Sequence, residues 1–206
     1  YVQSTAMEAR KDLNLEYVDS VYLDNNTDAI GFIEFLHDKK FTKRVVLASS
    51  WEVYGWKGRN KVPIDPRDEC KPETVEGEVK LLEELSIEAS NLNYVILRFA
   101  TVFGPYMPQD NELVRMVHEA MYYDDIIIKG VPARWLDLVY ITDVLPVIYK
   151  ALSTVGVDRQ VFNVGGIHDI ATPEEPKKNL VVNEKRITDI VRAMRHLIDS
   201  DSRYVF

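Results

Sequence analysis

Two short apolar runs, Arg44 to Ser49 (RVVLAS) and Tyr94 to Phe99 (YVILRF), flank a segment from Glu73 to Ser90 that has the composition and length of a helix. A strand with one face in water alternates apolar and polar residues. A strand covered on both faces need not, and that is the habit of parallel sheets with helices packed on either side. These two runs therefore restrict the chain to an α/β arrangement. The same reasoning places a helix over Asp24 to Phe35, where Ile30, Phe32, Ile33 and Phe35 sit in a polar frame.

The alternation continues downstream. Helices are predicted around Leu113 to Met121, over Asp143 to Leu152 and over Lys185 to Ile198. Strands are predicted near Ile126 to Ile128, Leu138 to Ile141 and Val161 to Val164. Gly, Pro, Asp and Lys crowd Gly55 to Pro72, which reads as a surface connection, and Gly165 to Asn183 reads as an irregular excursion. A chain of 206 residues is sufficient for one domain with a proper core, since ~100 to 200 residues per domain is usual.

Composition removes several function classes. No stretch approaches the ~18 uninterrupted apolar residues of a membrane span. The net charge of -8 is interspersed, with no basic stripe that would neutralise a nucleic acid, although a local pocket for a small anion stays open. Cys70 is the single cysteine and reads as an incidental thiol. It fits a reducing compartment, the cytoplasm or an organelle matrix. His37, His118, His168 and His196 lack metal-ligand spacing, and the G-x-S-x-G pattern of a nucleophile elbow is absent. The chain opens at Tyr1 without a signal-peptide pattern, so the natural N-terminus is expected to lie outside it.

Several segments, in order, resemble the extended short-chain dehydrogenase/reductase family, of the NAD-dependent nucleotide-sugar epimerase and dehydratase type. ASSWEVYG (Ala48 to Gly55) is similar to the strand-end serine motif followed by Val-Tyr-Gly. PETVEGEVKLLEE (Pro72 to Glu84) is similar to the Tyr-x-x-x-Lys segment, and YVILRFATVFGP (Tyr94 to Pro105) to Leu-Arg-x-x-Thr/Asn-Val-Tyr-Gly-Pro. LDLVYITDV (Leu136 to Val144) and VFNVGG (Val161 to Gly166) resemble later family elements. VQSTA (Val2 to Ala6) resembles a degenerate His-Leu-Ala-Ala strand.

The resemblance implies a Rossmann-like, doubly wound parallel sheet whose first βαβ unit is absent from this chain, with a small C-terminal substrate-side subdomain. Residues 1–104 would form the later part of the NAD(P)-binding domain, and 105–206 the substrate-side elements interleaved with the remaining strands. NAD or NADP is the implied cofactor. The phosphate loop and the acidic residue that reads the adenosine ribose are expected upstream, so the sequence does not choose between the two.

The resemblance also assigns residues. Ser50 falls on the catalytic Ser/Thr, Lys80 on the catalytic lysine and Glu76 on the tyrosine, which is therefore missing. Glu52 falls where dehydratases place an acid/base residue, with Trp51 in place of its companion acid. Lys80, Ser49 and Asn25 are the implied cofactor contacts. Thr101 would border a sugar nucleotide, and Arg134 would substitute for a diphosphate-binding arginine whose position is Leu136. Read without the family, Glu76 and Lys80 are an exposed i,i+4 ion pair, Arg98 is a structural ion-pair residue, and Tyr54, Gly55 and Trp51 shape a loop. Two function classes follow: a nucleotide-sugar epimerase-like oxidoreductase with reduced or lost catalysis, or a non-catalytic subunit of a larger assembly. The resemblance further implies a homodimer through Asn25 to His37 and Glu73 to Ser90.

Overall fold

The computed structural model describes residues 13–24, 28–55, 64–109, 111–122, 125–128, 135–166, 185–197 and 203–205. In chain order it begins with β1 (Ser20–Leu23), α1 (Ala29–Asp38), β2 (Arg44–Ser50), one tight helical turn (Trp51–Tyr54), α2 (Val75–Ala89) and β3 (Asn93–Phe99). Then come β4 (Thr101–Phe103), α3 (Glu112–Tyr122), β5 (Asp125–Ile127), β6 (Trp135–Leu136), β7 (Leu138–Tyr140) and α4 (Ile141–Ser153). The last elements are β8 (Gln160–Val164), β9 (Lys185–Arg186), α5 (Ile187–Leu197) and β10 (Arg203–Val205). The chain divides into two compact units, Tyr1–Ala100 with Thr142–Val164, and Thr101–Ile141 with Gly165–Phe206.

The first unit is a parallel sheet in the order β1-β2-β3-β8. Val45, Val46 and Leu47 of β2 and Val95 and Ile96 of β3 are fully buried, as their unbroken apolar runs require. Alternate residues leave the sheet on opposite faces. Val45, Leu47 and Ile96 meet Phe32, Ile33 and Leu36 of α1 and Ile87 of α2 in one core, so both helices lie on the same face. Each helix starts on a side-chain cap. Asp28 accepts from the Gly31 N–H at 3.1 Å, and Thr74 accepts from the Gly77 N–H at 3.1 Å.

The second unit pairs β4 with β7 and β5 with β10 in parallel, and β6 with β9 antiparallel. Its core joins Leu113, Met116 and Ala120 of α3 to Ile126, Ile128, and Ile190 and Val191 of α5.

The parallel α/β expectation holds, and the local differences have physical reasons. The strand ahead of β2 is Ser20–Leu23, whereas Val2 to Ala6 lies outside the described residues. The first helix starts at Ala29 rather than Asp24, because Asp28 supplies the cap. Lys185 and Arg186 pair with Leu136 and Trp135 instead of opening the last helix. No described helix is long and apolar enough to cross a membrane.

Gly77 is where α2 approaches the turn after β2. A Cβ there would lie 2.7 Å from the Glu52 carbonyl oxygen and 3.0 Å from Pro72 Cβ. Gly77→Ala should therefore destabilise the chain by about 1–3 kcal/mol, the usual cost of overpacking, despite the ~1 kcal/mol that alanine gains in a helix. Urea denaturation measures this, and an unchanged or raised midpoint would show that the approach is not tight.

Candidate active site

β2 ends on two serines that leave opposite faces of the sheet. Ser49, almost fully buried, donates its hydroxyl proton to the Glu84 carboxylate. Ser50 accepts from the Glu52 N–H at 3.2 Å and so caps the Trp51–Tyr54 turn. That bond uses its oxygen as an acceptor and leaves its O–H to donate. Glu52 is half-buried, and its carboxylate accepts from the Thr74 hydroxyl at 3.1 Å, joining this turn to the start of α2.

α2 is amphipathic in an unexpected sense. The side turned to the protein carries Gly77, Lys80, Glu83, Glu84 and Ile87, while Val75, Val79, Leu82 and Leu85 face outward, with Val75 77% and Leu82 56% exposed. The exposed Glu76–Lys80 pair expected from spacing does not form. Lys80 is buried and its Nζ lies 2.7 Å from Glu83 Oε2. Glu76 is exposed and makes no ion pair among the described residues. The reason is position. Glu76 occupies the first turn, where the helix N-terminus tolerates an anion in water, whereas Lys80 and Glu83 are pressed beneath the helix. Burial raises the Glu83 carboxyl above its ordinary value, and the hydrogen bond and charge of Lys80 oppose the rise.

Beside this pair lies a second, larger one. Arg98 Nε and Nη2 donate to Glu84 at 3.0 and 2.7 Å, and Nη1 donates to the Tyr54 hydroxyl at 2.8 Å and to the Pro66 carbonyl at 2.9 Å. The guanidinium also stands 4.8 Å from the centre of the Tyr54 ring. Tyr54 donates onward to Asn163 Oδ1 at 2.6 Å, and Asn163 Nδ2 donates to the Ile64 carbonyl at 2.9 Å. Burial works against the Arg98 charge, but the hydrogen bonds and charge of Glu84 outweigh it, and the group is held above its ordinary value. Burial likewise raises the Tyr54 phenol, with Arg98 pulling it back. The structural ion pair expected of Arg98 is thus present.

The first unit thereby gathers Ser49, Ser50, Glu52, Glu76 and Lys80 around the ends of β2 and the first turns of α2. Thr101 belongs to the second unit, half-buried on β4, where its N–H donates to the Asp137 carbonyl at 3.0 Å. Asn25 and Arg134 lie outside the described residues. Sequence reasoning missed Glu83, which no motif marks. It also missed Asp137, a buried acid that accepts from the Gly166 N–H at 2.8 Å. A Cβ at Gly165 would fall 2.0 Å from Asp137 Oδ2, which explains the first glycine of VFNVGG. Among the described residues no group of three or more His, Cys, Asp or Glu could hold a metal ion.

The arrangement defines an α/β protein of Rossmann-like type, with Ser49 and Ser50 at the carboxyl end of β2 in its parallel sheet. Over 93–99% of its length the chain is similar in fold to several solved structures. MoeE5 in complex with UDP-glucose and NAD matches with a TM-score of 0.74 at 20% identity, covering 99% of this chain and 71% of that one. The UDP-glucuronic acid 4-epimerase of Bacillus cereus matches with 0.75 at 21% identity, covering 93% and 63%. TunA, an NAD-dependent NDP-hexosamine 5,6-dehydratase, matches with 0.72 at 18%, covering 95% and 65%. An uncharacterized protein of Methanocaldococcus jannaschii is 30% identical over 147 residues, 68% of this chain. The chain spans 44% of that relative's length. The model of the NAD dependent epimerase/dehydratase family matches residues 1–165, and the chain belongs to that family.

The Arg98–Glu84 pair yields a stability prediction. Both side chains are almost fully buried, at 6% and 3% exposure. Arg98→Met strips the carboxylate of its cation and should cost about 3–5 kcal/mol, the range for breaking a buried pair from one side. Arg98→Met combined with Glu84→Met should recover most of that loss. Additive losses in chemical denaturation would show that the two groups do not depend on each other.

Proposed function

We propose that this chain is part of an NAD(P)-dependent epimerase/dehydratase-like protein of the nucleotide-sugar class, with its own catalysis reduced or lost because Glu76 stands in the place of the tyrosine. The observation that carries this reading is the state of that helix: Glu76 is exposed and makes no ion pair among the described residues, while Lys80 is buried and paired elsewhere. A phenol near its pKa of ~10 can be poised between donor and acceptor beside a cation, whereas a carboxyl of ~4.3 is at neutral pH an acceptor only. It is a poor partner for removing a proton from a sugar hydroxyl.

The remaining groups suit binding better than chemistry. Lys80 commits one N–H to Glu83 and keeps two, a donor set that fits the vicinal hydroxyls of a nicotinamide ribose. Ser49 gives its proton to Glu84 and would serve only as an acceptor. Ser50 retains a donor for a substrate oxygen. Asn25 on the cofactor side, and Thr101 and Arg134 on the sugar-nucleotide side, take their roles from the resemblance alone. Glu52, tied to Thr74, is the weakest of the assigned acids. A bound NAD(P) would supply the hydride acceptor. The single thiol, Cys70, is half-buried and burial raises its pKa, which makes it a poor nucleophile.

One observation bears on assembly, whether the chain is catalytic or a non-catalytic subunit: the outward apolar stripe of α2. Its span from Val75 to Leu85 is ~15 Å at 1.5 Å per residue, long enough to pack against its own copy about a two-fold axis. The occupant proposed is a second copy of the chain, with α1, which packs beside α2, at the rim. Sedimentation of the full-length protein should show a dimer, and Leu82→Glu should shift it to monomer; a wild type that sediments as a monomer overturns the pairing.

The catalytic reading is tested by titrating full-length protein with NAD and NADP and then assaying nucleotide-sugar turnover before and after Glu76→Tyr. Cofactor binding with little or no turnover, raised at least ~10-fold by the substitution, is the expected result, since a positioned acid or base contributes about 10²–10⁴-fold. Turnover by the unsubstituted protein at rates typical of enzymes would refute the reading.

A further inference from the structure

We propose that Glu83 has taken over Lys80 as its counter-ion, so that the lysine keeps hydrogen-bond donors for a ligand but no longer lends its charge to position 76. This deepens the proposed function and rests on it for the role of position 76. The chain is then disarmed at two places on one helix, and Glu76→Tyr alone recovers only part of the ~10²–10⁴-fold that a positioned acid or base contributes.

The geometry separates two properties that a lysine ordinarily supplies together. Its Nζ and Glu83 Oε2 are 2.7 Å apart, and the side chains are 6% and 8% exposed, so neither water nor salt weakens the contact. Side chains on a helix lean toward its N-terminus. Glu83 therefore reaches back over the turn that carries Lys80, and Lys80 leans toward the turn that carries residue 76. A lone ammonium in that place would draw protons off a neighbouring phenol. An ammonium with a carboxylate against it presents a dipole, whose effect one turn away falls off faster than that of a single charge. Donor capacity is untouched, because an ammonium has three N–H groups and Glu83 takes one.

The acids nearest Glu83 are engaged elsewhere. Glu84, the next residue, is engaged by Arg98 and Ser49. Asp28 caps α1 through the Gly31 N–H. The charged groups that act on Glu83 are Lys80, Asp28 and Glu84, and of these only Lys80 favours its ionised form.

The test needs neither cofactor nor substrate. Glu76→Tyr is made in the full-length protein, alone and with Glu83→Gln, which keeps the size of the side chain and removes its charge. The introduced phenol is titrated by its ultraviolet absorbance as a difference from Glu76→Phe, so that the eleven native tyrosines cancel. With Glu83 present the phenol should titrate near its ordinary value of ~10. With Glu83→Gln it should fall by about one pH unit or more. A phenol already depressed in the presence of Glu83, or one that Glu83→Gln leaves unmoved, overturns the proposal. Should the double variant fail to fold, Glu76→Tyr is compared with Glu76→Tyr/Lys80→Met. An equal titration in the two supports a neutralised lysine, and a rise of about a unit on removing Lys80 overturns it. Turnover by the wild type would defeat the reading of position 76 whatever the phenol does, whereas a depressed phenol beside Glu83 defeats this inference alone.

Discussion

The Arg98–Glu84 pair holds the first unit together. A guanidinium and a carboxylate taken from water each lose several kcal/mol of hydration, which close contact restores only if nearly every donor and acceptor is matched. Here the matching is close to complete. Nε, Nη1 and Nη2 of Arg98 all donate, and both Glu84 oxygens accept, one of them from Ser49 as well. The bonds join β3 to α2, to the end of β2, to the Pro66 segment and, through Tyr54 and Asn163, to β8. Four segments distant in sequence are thereby placed at one depth in the sheet, and the depth of Lys80 follows from them.

That arrangement explains the inverted character of α2. Its inner face has to carry the polar groups that satisfy Arg98 and each other, so its apolar residues are displaced to the outside, where Val75, Val79, Leu82 and Leu85 stand in a row. α1 obeys the ordinary rule, burying Phe32, Ile33 and Leu36. The contrast between two neighbouring helices on one sheet face separates a helix that only packs from one that also positions charged groups.

Much of this was legible in the residues. RVVLAS and YVILRF read as doubly covered strands because VVLA and VIL run without a polar break, and β2 and β3 pair in parallel along their whole length. The ends of α2 were close to expectation, since Thr74 caps it and Asn91, with a positive φ, follows it. β1 was not legible. SVYL is four residues beside turn-forming Asp and Asn, and its strand character comes from β2, more than twenty positions away. The site was partly legible for the same kind of reason. Spacing along a helix says which side chains can meet, and so suggested Glu76 with Lys80. It says nothing about which of them the sheet will cover, and coverage gave Lys80 to Glu83.

Gly77 carries a consequence of its own. Where α2 comes down on the turn after β2, main chain rests against main chain, with no side chain between them. The distance from the serines to the lysine is thus set by the skeleton, and residue 76, pointing into solvent, has no part in setting it. A scaffold of this kind cannot register what occupies that position. The group at that position can be exchanged without any mark on folding, and the spacing of the serines and the lysine persists whatever side chain stands there.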